Sequence, residues 1–144
     1  MVVLLGLVGC SHTPDLDNRF NREDYLAVYE QWQGVPYQLG GTSQRGIDCS
    51  AFMQQFHREL AFPIELPRTT KQQVKLGEKV SYAKRQAGDL VFFKTGRNVR
   101  HVGVLLDSDI FIHASTSRGV MQSTLSNPYW QSTFWQVRRL PDPL

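Results

Sequence analysis

Cys49 is the residue in this chain best placed to do chemistry. It follows Asp48 and opens the stretch "CSAFMQQF", whose Phe52, Met53, Phe56 and Leu60 recur at helical spacing. Asp48 is a good N-cap, so the thiol stands at a helix mouth, where unpaired N–H groups and the helix dipole favour a thiolate. A positive neighbour at such a site lowers a thiol pKa from about 8.5 toward 3.5–7.5. Ser50 and Ala51 offer backbone N–H groups to a developing oxyanion.

A nucleophile of this kind needs a base, and the chain has four histidines. His12 falls in a polar stretch. His57 lies eight residues along the Cys49 helix, about 12 Å away at 1.5 Å per residue, and is expected at the helix surface, facing solvent or a surface partner. His101 and His113 sit on two apolar runs, "RHVGVLL" and "IFIHAS", joined by Asp107-Ser108-Asp109. If those three residues form an odd-length turn, 106 pairs with 110, 103 with 113 and 101 with 115. Both histidines then share one face as diagonal neighbours, their Cβ atoms roughly 7–8 Å apart or less. A two-residue turn would send them to opposite faces. On the first register, His101 acts as general base and His113 orients its ring. Three other uses of these atoms stay open: a zinc site from Cys49, His101 and His113, which lacks an evident fourth ligand; an inert buried thiol; and a Cys10–Cys49 disulfide.

The elements that must position these groups follow in order. Asn21 caps a helix carrying Tyr25, Leu26, Val28, Tyr29 and Trp32 and stopped by Gly34. "VPYQLGGTSQRGID" is a glycine-punctuated loop leading to the Cys49 helix. Thr70-x-x-Gln73 has the capping-box pattern for a short third helix ending at Gly77. Arg68 and Thr69 read as a loop anchor and a cap. Four strands follow, "GDLVFFK", "RHVGVLL", "IFIHAS" and "WQVRRL", with Asp89 at a turn and Phe92 and Phe93 in the core. Tyr129, Trp130 and Trp135 are expected to pack the closing strand rather than line a groove. Helices first and antiparallel strands second make a segregated α+β domain.

At 144 residues the chain has room for one domain with a real core. It is 41% hydrophobic with a net charge of +3, its basic residues scattered, which argues against a nucleic-acid partner. The opening "MVVLLGLVGC" is too short to span a bilayer, which takes about 20 apolar residues. It resembles the end of a secretory signal, and Leu7-Val8-Gly9-Cys10 a bacterial lipobox whose cysteine is lipidated, with Ser11 suiting outer-membrane sorting. No Lys or Arg precedes the run, as a start codon set too far downstream would leave it; the other reading is a buried N-terminal strand. The expected organisation is a signal segment at 1–10, a tether at 11–20 and one domain at 21–144. A lipidated Cys10 leaves Cys49 an unpaired thiol in an oxidising exported compartment, where idle thiols are a liability.

The blocks "PYQLGGTSQRGIDCSAFM", "LPRTTKQQ", "AGDLVFF", "RHVGVLL" and "FIHAS" resemble, in order and spacing, those of NlpC-type cell-wall cysteine peptidases, over about residues 25–140. The resemblance implies a minimal papain-like fold and a peptidase acting on peptidoglycan stem peptides, without a metal or cofactor. It implies Cys49 as nucleophile, His101 as base and His113 as orienting member. It carries onto Tyr37 a phenol near the oxyanion site, and onto Asp48 and Ser50 a part in holding the peptide. Ala51 stands where the family often has glycine, and Leu39 where it often has tryptophan. Which wall bond is cut, and the oligomeric state, do not follow. Two rival functions remain: a non-catalytic wall-binding scaffold lipoprotein, and an amidase or acyltransferase on another substrate.

Overall fold

The computed structural model describes residues 20–141; the signal segment and residues 11–19 of the tether lie outside them. Phe20, the last tether residue, packs its ring against Tyr25 and Phe62.

Helix α1 (Arg22–Trp32) is closed at its start by a reciprocal capping box between Asn21 and Asp24. Its buried face is Tyr25, Val28, Tyr29 and Trp32, and Gly34 just beyond it takes φ +80°. The glycine-rich loop contains a two-residue ribbon, β1 (Thr42–Ser43) with β2 (Gly46–Ile47). It delivers the chain to α2 (Cys49–Glu59), with Asp48 as N-cap. Phe52, Met53 and Phe56 are wholly buried and Leu60 nearly so.

Helix α3 (Thr70–Gln73) is capped by Thr69, as expected of that residue, and not by Thr70, where the capping-box pattern would start it. Thr69 Oγ1 accepts from Gln72 N–H, while Thr70 turns inward to the Cys49 sulfur and is lost as a cap. The helix also stops at Gln73 rather than at Gly77.

Six antiparallel strands make the main sheet: β3 (Glu78–Val80), β4 (Leu90–Gly96), β5 (Val99–Leu105), β6 (Ile110–Ser115), β7 (Gly119–Thr124) and β8 (Phe134–Arg139). Their spatial order is β3-β8-β4-β5-β6-β7. Strands β3 and β7 add to the four expected, and helix α4 (Pro128–Thr133), capped by Asn127, precedes β8. The architecture is α+β, as expected.

The alternation of strand side chains builds two apolar layers. Val102, Val104, Ile112 and Ala114 join α1 and α2 in the main core. Val91, Phe93, Leu105 and Phe111 form a smaller core on the other face, covered by Trp130 and Phe134. Asp89 accepts from Gln86 N–H at the turn before β4 and pairs with Arg139 of β8, 2.9 Å away.

Candidate active site

The turn between β5 and β6 is three residues long. Asp107 Oδ1 accepts from the N–H groups of Asp109 and Ile110, at 2.8 and 2.7 Å, and so closes it. Leu106 N–H donates to Ile110 O, and Val104 pairs with Ile112 and Leu105 with Phe111. This is the register that puts both histidines on one face. His101 Nε2 and His113 Nδ1 meet at 2.7 Å, and His113 Nε2 lies 2.8 Å from Ser123 Oγ on β7. His101 Nδ1 makes no hydrogen bond among the described residues. For Nδ1 to act as the base, His101 must carry its proton on Nε2. His113 then accepts at Nδ1 and donates from Nε2 to Ser123.

Gly103 makes this meeting possible. A Cβ there would stand 2.8 Å from Ile112 O and from the Phe111 ring, and 3.2 Å from His113 Cβ.

Trp130 of α4 covers the pair. Its ring stacks on His101 at 5.4 Å and 24°, and stands edge-on to His113 at 5.0 Å. The expectation that Trp130 only packs the closing strand is therefore corrected: it contacts both histidines and, with the exposed Tyr129, lines the hollow beside them. Trp130 sits on α4, an element the apolar pattern does not reveal, and no sequence signal ties it to the histidines.

Cys49 is reached from the other layer. It is a buried free thiol, and its side-chain partner is Thr70 Oγ1 at 3.6 Å. No hydrogen bond joins it to either histidine. The backbone N–H groups of Val102 and Ser50 face its sulfur. Val102 follows His101 directly, and the pairing of β5 with β6 ends at Val104–Ile112. The Val102 N–H thus serves the thiol at the place where the ladder opens.

Burial pushes the Cys49 thiol up, and the nearby Asp48 charge adds to this; the Thr70 hydroxyl and the two N–H groups only partly offset them. The low thiol pKa expected of a helix mouth is thereby overturned, because desolvation outweighs the N–H groups. Burial also holds His101 down to about 4, and burial plus His101 holds His113 well below the ordinary range. The thiol and both imidazoles rest neutral near pH 7.

Asp48 fixes the helix mouth. Its Oδ1 accepts from Ala51 N–H at 2.9 Å, and its carboxylate takes both Arg68 nitrogens, at 2.9 and 2.7 Å. Gly40 N–H donates to Oδ2, and Ser50 Oγ lies between Arg68 and Oδ1. Burial pushes the Asp48 carboxyl up, but the Arg68 and Ala51 hydrogen bonds outweigh it and hold the group below its ordinary value. Ala51 N–H is therefore spent on the cap and is not free to meet an oxyanion. Half-buried Tyr37 is close enough to Cys49, Asp48 and Arg68 that burial and the first two charges raise its phenol. Gln73 Nε2 ties Ser50 O to Pro67 O and so anchors the segment that carries Thr70.

His57 does not face solvent. It is buried, its Nδ1–H donates to Met53 O at 2.7 Å, and burial lowers its pKa to about 4. Phe56 and Phe62 pack edge-on to its ring. It takes no part in the site. As for the zinc alternative, no group of three or more His, Cys, Asp or Glu among the described residues is placed to hold a metal ion.

The model of the NlpC/P60 family matches residues 34–139. The chain belongs to the NlpC/P60 family. It is similar to the probable endopeptidase NlpC of Escherichia coli K12, with 43% identity over 149 residues covering 97% of this chain and 96% of that protein. It is also similar to the murein DD-endopeptidase MepS/murein LD-carboxypeptidase of the same strain, with 46% identity over 112 residues covering 78% of this chain and 59% of that one. Among solved structures, a lipoprotein-like NLP/P60 family protein of Staphylococcus aureus superposes with a TM-score of 0.75 at 30% identity, over 88% of this chain and 44% of that one. Cys49, Asp48, Ser50 and Tyr37 come together at one end of α2, while His101 and His113 pair on β5 and β6 and meet that cluster through the Val102 N–H that faces the Cys49 sulfur.

Proposed function

We propose that this chain is a murein hydrolase, a cysteine endopeptidase that cleaves amide bonds in peptidoglycan stem peptides or cross-links. The observations that support the reading are the hydrogen-bonded His101–His113 pair and, at the next residue of β5, the Val102 N–H that faces the buried Cys49 sulfur at a helix mouth. The family membership and the names of the relatives, murein and peptidoglycan endopeptidases, supply the substrate class.

In this mechanism His101 Nδ1 takes the Cys49 proton as the sulfur attacks the scissile carbonyl. Because both groups rest neutral, the proton moves with the attack and no standing thiolate precedes it. The oxyanion is met by Ser50 N–H at the helix mouth, with Tyr37 beside it. His101, now protonated and steadied by His113, gives its proton to the departing amine nitrogen and leaves a thioester. Water, deprotonated by His101, then hydrolyses the thioester and restores the thiol. Asp48 and Arg68 keep the helix mouth and Ser50 in place.

The exported location and anchor belong to the same proposal. A lipid on Cys10, with residues 11–20 as tether, would hold the domain at the outer membrane of a periplasm. The lipobox-like Leu7–Cys10 stretch supports this. No helix among the described residues is long and apolar enough to cross a membrane.

Purified sacculi incubated with the protein, and mass spectrometry of the released muropeptides, test the reading. Cys49→Ala should abolish release with an unchanged circular dichroism spectrum. Retained release would overturn the mechanism, and release of no defined muropeptide by the unaltered protein would favour the scaffold.

A further inference from the structure

A cavity of about 360 Å³ opens against the histidine pair, and Cys49 is not among its walls. Serine and threonine hydroxyls line much of it, with Asn127 and Trp130. Arg118 is the single Lys or Arg there, and no Asp or Glu is present among the described residues that line it. The Arg118 guanidinium makes no ion pair or hydrogen bond among the described residues; only its backbone N–H is engaged, by Ser115 Oγ at 3.3 Å.

The turn that carries Arg118 is held in place. Gly119 follows it with φ +76°, and a Cβ there would stand 2.3 Å from Val35 O. Val120 N–H donates to Val35 O, and Gly34 N–H to Val120 O. A cation on a fixed backbone thus stands at the rim of a neutral, hydroxyl-lined hollow.

The mechanism proposed above gives the hollow its place on the substrate. His101 protonates the leaving nitrogen, so the residue bearing that nitrogen lies on the His101 side, over this cavity. The acyl half lies on the Cys49 and Tyr37 side. We propose that Arg118 and the hollow form an amine-side subsite that binds a free carboxylate on the residue whose amino group is released. The guanidinium fork matches a carboxylate in two-point fashion, and no acid in the walls competes for it. Wall stem peptides, with free carboxylates on their acidic and diamino acid residues, carry such a group.

The proposal rests on the peptidase reading, and two synthetic stem peptides separate the two. They are identical except that the amine-side residue carries a carboxylate in one and a carboxamide in the other. The unaltered protein should prefer the carboxylate peptide by about tenfold in kcat/KM, the size expected of a charge-assisted contact that water partly screens. Arg118→Ala should erase that preference by raising KM for the carboxylate peptide, with kcat and the carboxamide peptide unaffected. Arg118→Lys should restore part of it. No preference in the unaltered protein, a preference that survives Arg118→Ala, or an equal loss on both peptides would overturn the subsite. Activity surviving in Cys49→Ala would instead overturn the peptidase reading beneath it.

Discussion

Replacing Gly103 with alanine tests whether a missing side chain is what lets the histidines meet. The added Cβ would lie 2.8 Å from Ile112 O and Phe111 Cδ2 and 3.2 Å from His113 Cβ, where ordinary contact begins at 3.4 Å. Ile112 O is backbone and the Phe111 ring is wholly buried, so neither can swing aside. Strands β5 and β6 must instead move apart by about half an ångström, an overpacking strain of about 1–3 kcal/mol. Calorimetry should show Tm falling by roughly 3–12 °C for a chain of this size. The same movement carries the 2.7 Å His101–His113 contact toward the edge of hydrogen-bonding range. Since a misplacement of about 1 Å can cost 10²-fold, kcat on peptidoglycan should fall roughly tenfold at temperatures where both proteins stay folded. KM should hardly change. An unchanged Tm would refute the packing argument. A lowered Tm with unchanged kcat would refute the link between this fit and the histidine pair.

Three further outcomes follow from the same geometry. Because burial pushes the Cys49 thiol up and holds His101 down to about 4, the rate of Cys49 alkylation by iodoacetamide should climb steadily from pH 6 into the alkaline range; a plateau across pH 5–8 would reveal a thiolate–imidazolium pair instead. His57 has a folded pKa of about 4 against about 6.5 unfolded, so its contribution is full above pH 6.5 and is lost as pH falls toward 4. Urea titrations should show His57 contributing about 2 kcal/mol to the loss of stability between pH 7 and pH 5, beside what buried His101 and His113 add, and His57→Asn, which keeps a donor to Met53 O, should remove that share of the slope. Ser123→Ala leaves His113 Nε2 without its partner 2.8 Å away. It should lower kcat several-fold without changing KM, and nitrogen-15 spectra of the ring should show a mixture of His113 tautomers where the unaltered protein shows one.

What could be read in advance was what depends on neighbours in sequence or on strand parity. Asp48 caps α2 and Phe52, Met53 and Phe56 are buried because cap and stripe are local properties of one helix. The meeting of the histidines was legible only as one of two registers, and the three-residue turn closed by Asp107 selects the one that puts both on one face. The misses depend on elements far apart in the chain. Strand β3 is three residues long and β7 is half-polar, and neither edge strand alternates, so β7 and its Ser123 had no signal. His57 is at the distance along the helix that the spacing gives. Phe62, from the segment after α2, covers it from a direction the helix alone does not reveal. The helix-mouth argument supplied the sign of one influence on the thiol, while the larger influence, burial, exists only once Thr70 and Val102 have closed around the sulfur. Trp130 escaped for the same reason, since only the packed sheet brings α4 under the histidines.

The last strand in sequence lies inside the sheet rather than at its rim. Until β8 has slotted between β3 and β4, β4 presents an open edge and β3 has nothing to pair with. The β4–β5 and β6–β7 hairpins are local and can form early, but the sheet they belong to stays gapped until the final segment arrives. A nascent or trimmed chain lacking β8 would therefore expose a long, apolar edge, Leu90 to Phe93, to pairing with other chains. The sheet is therefore continuous only when its C-terminal strand is in place.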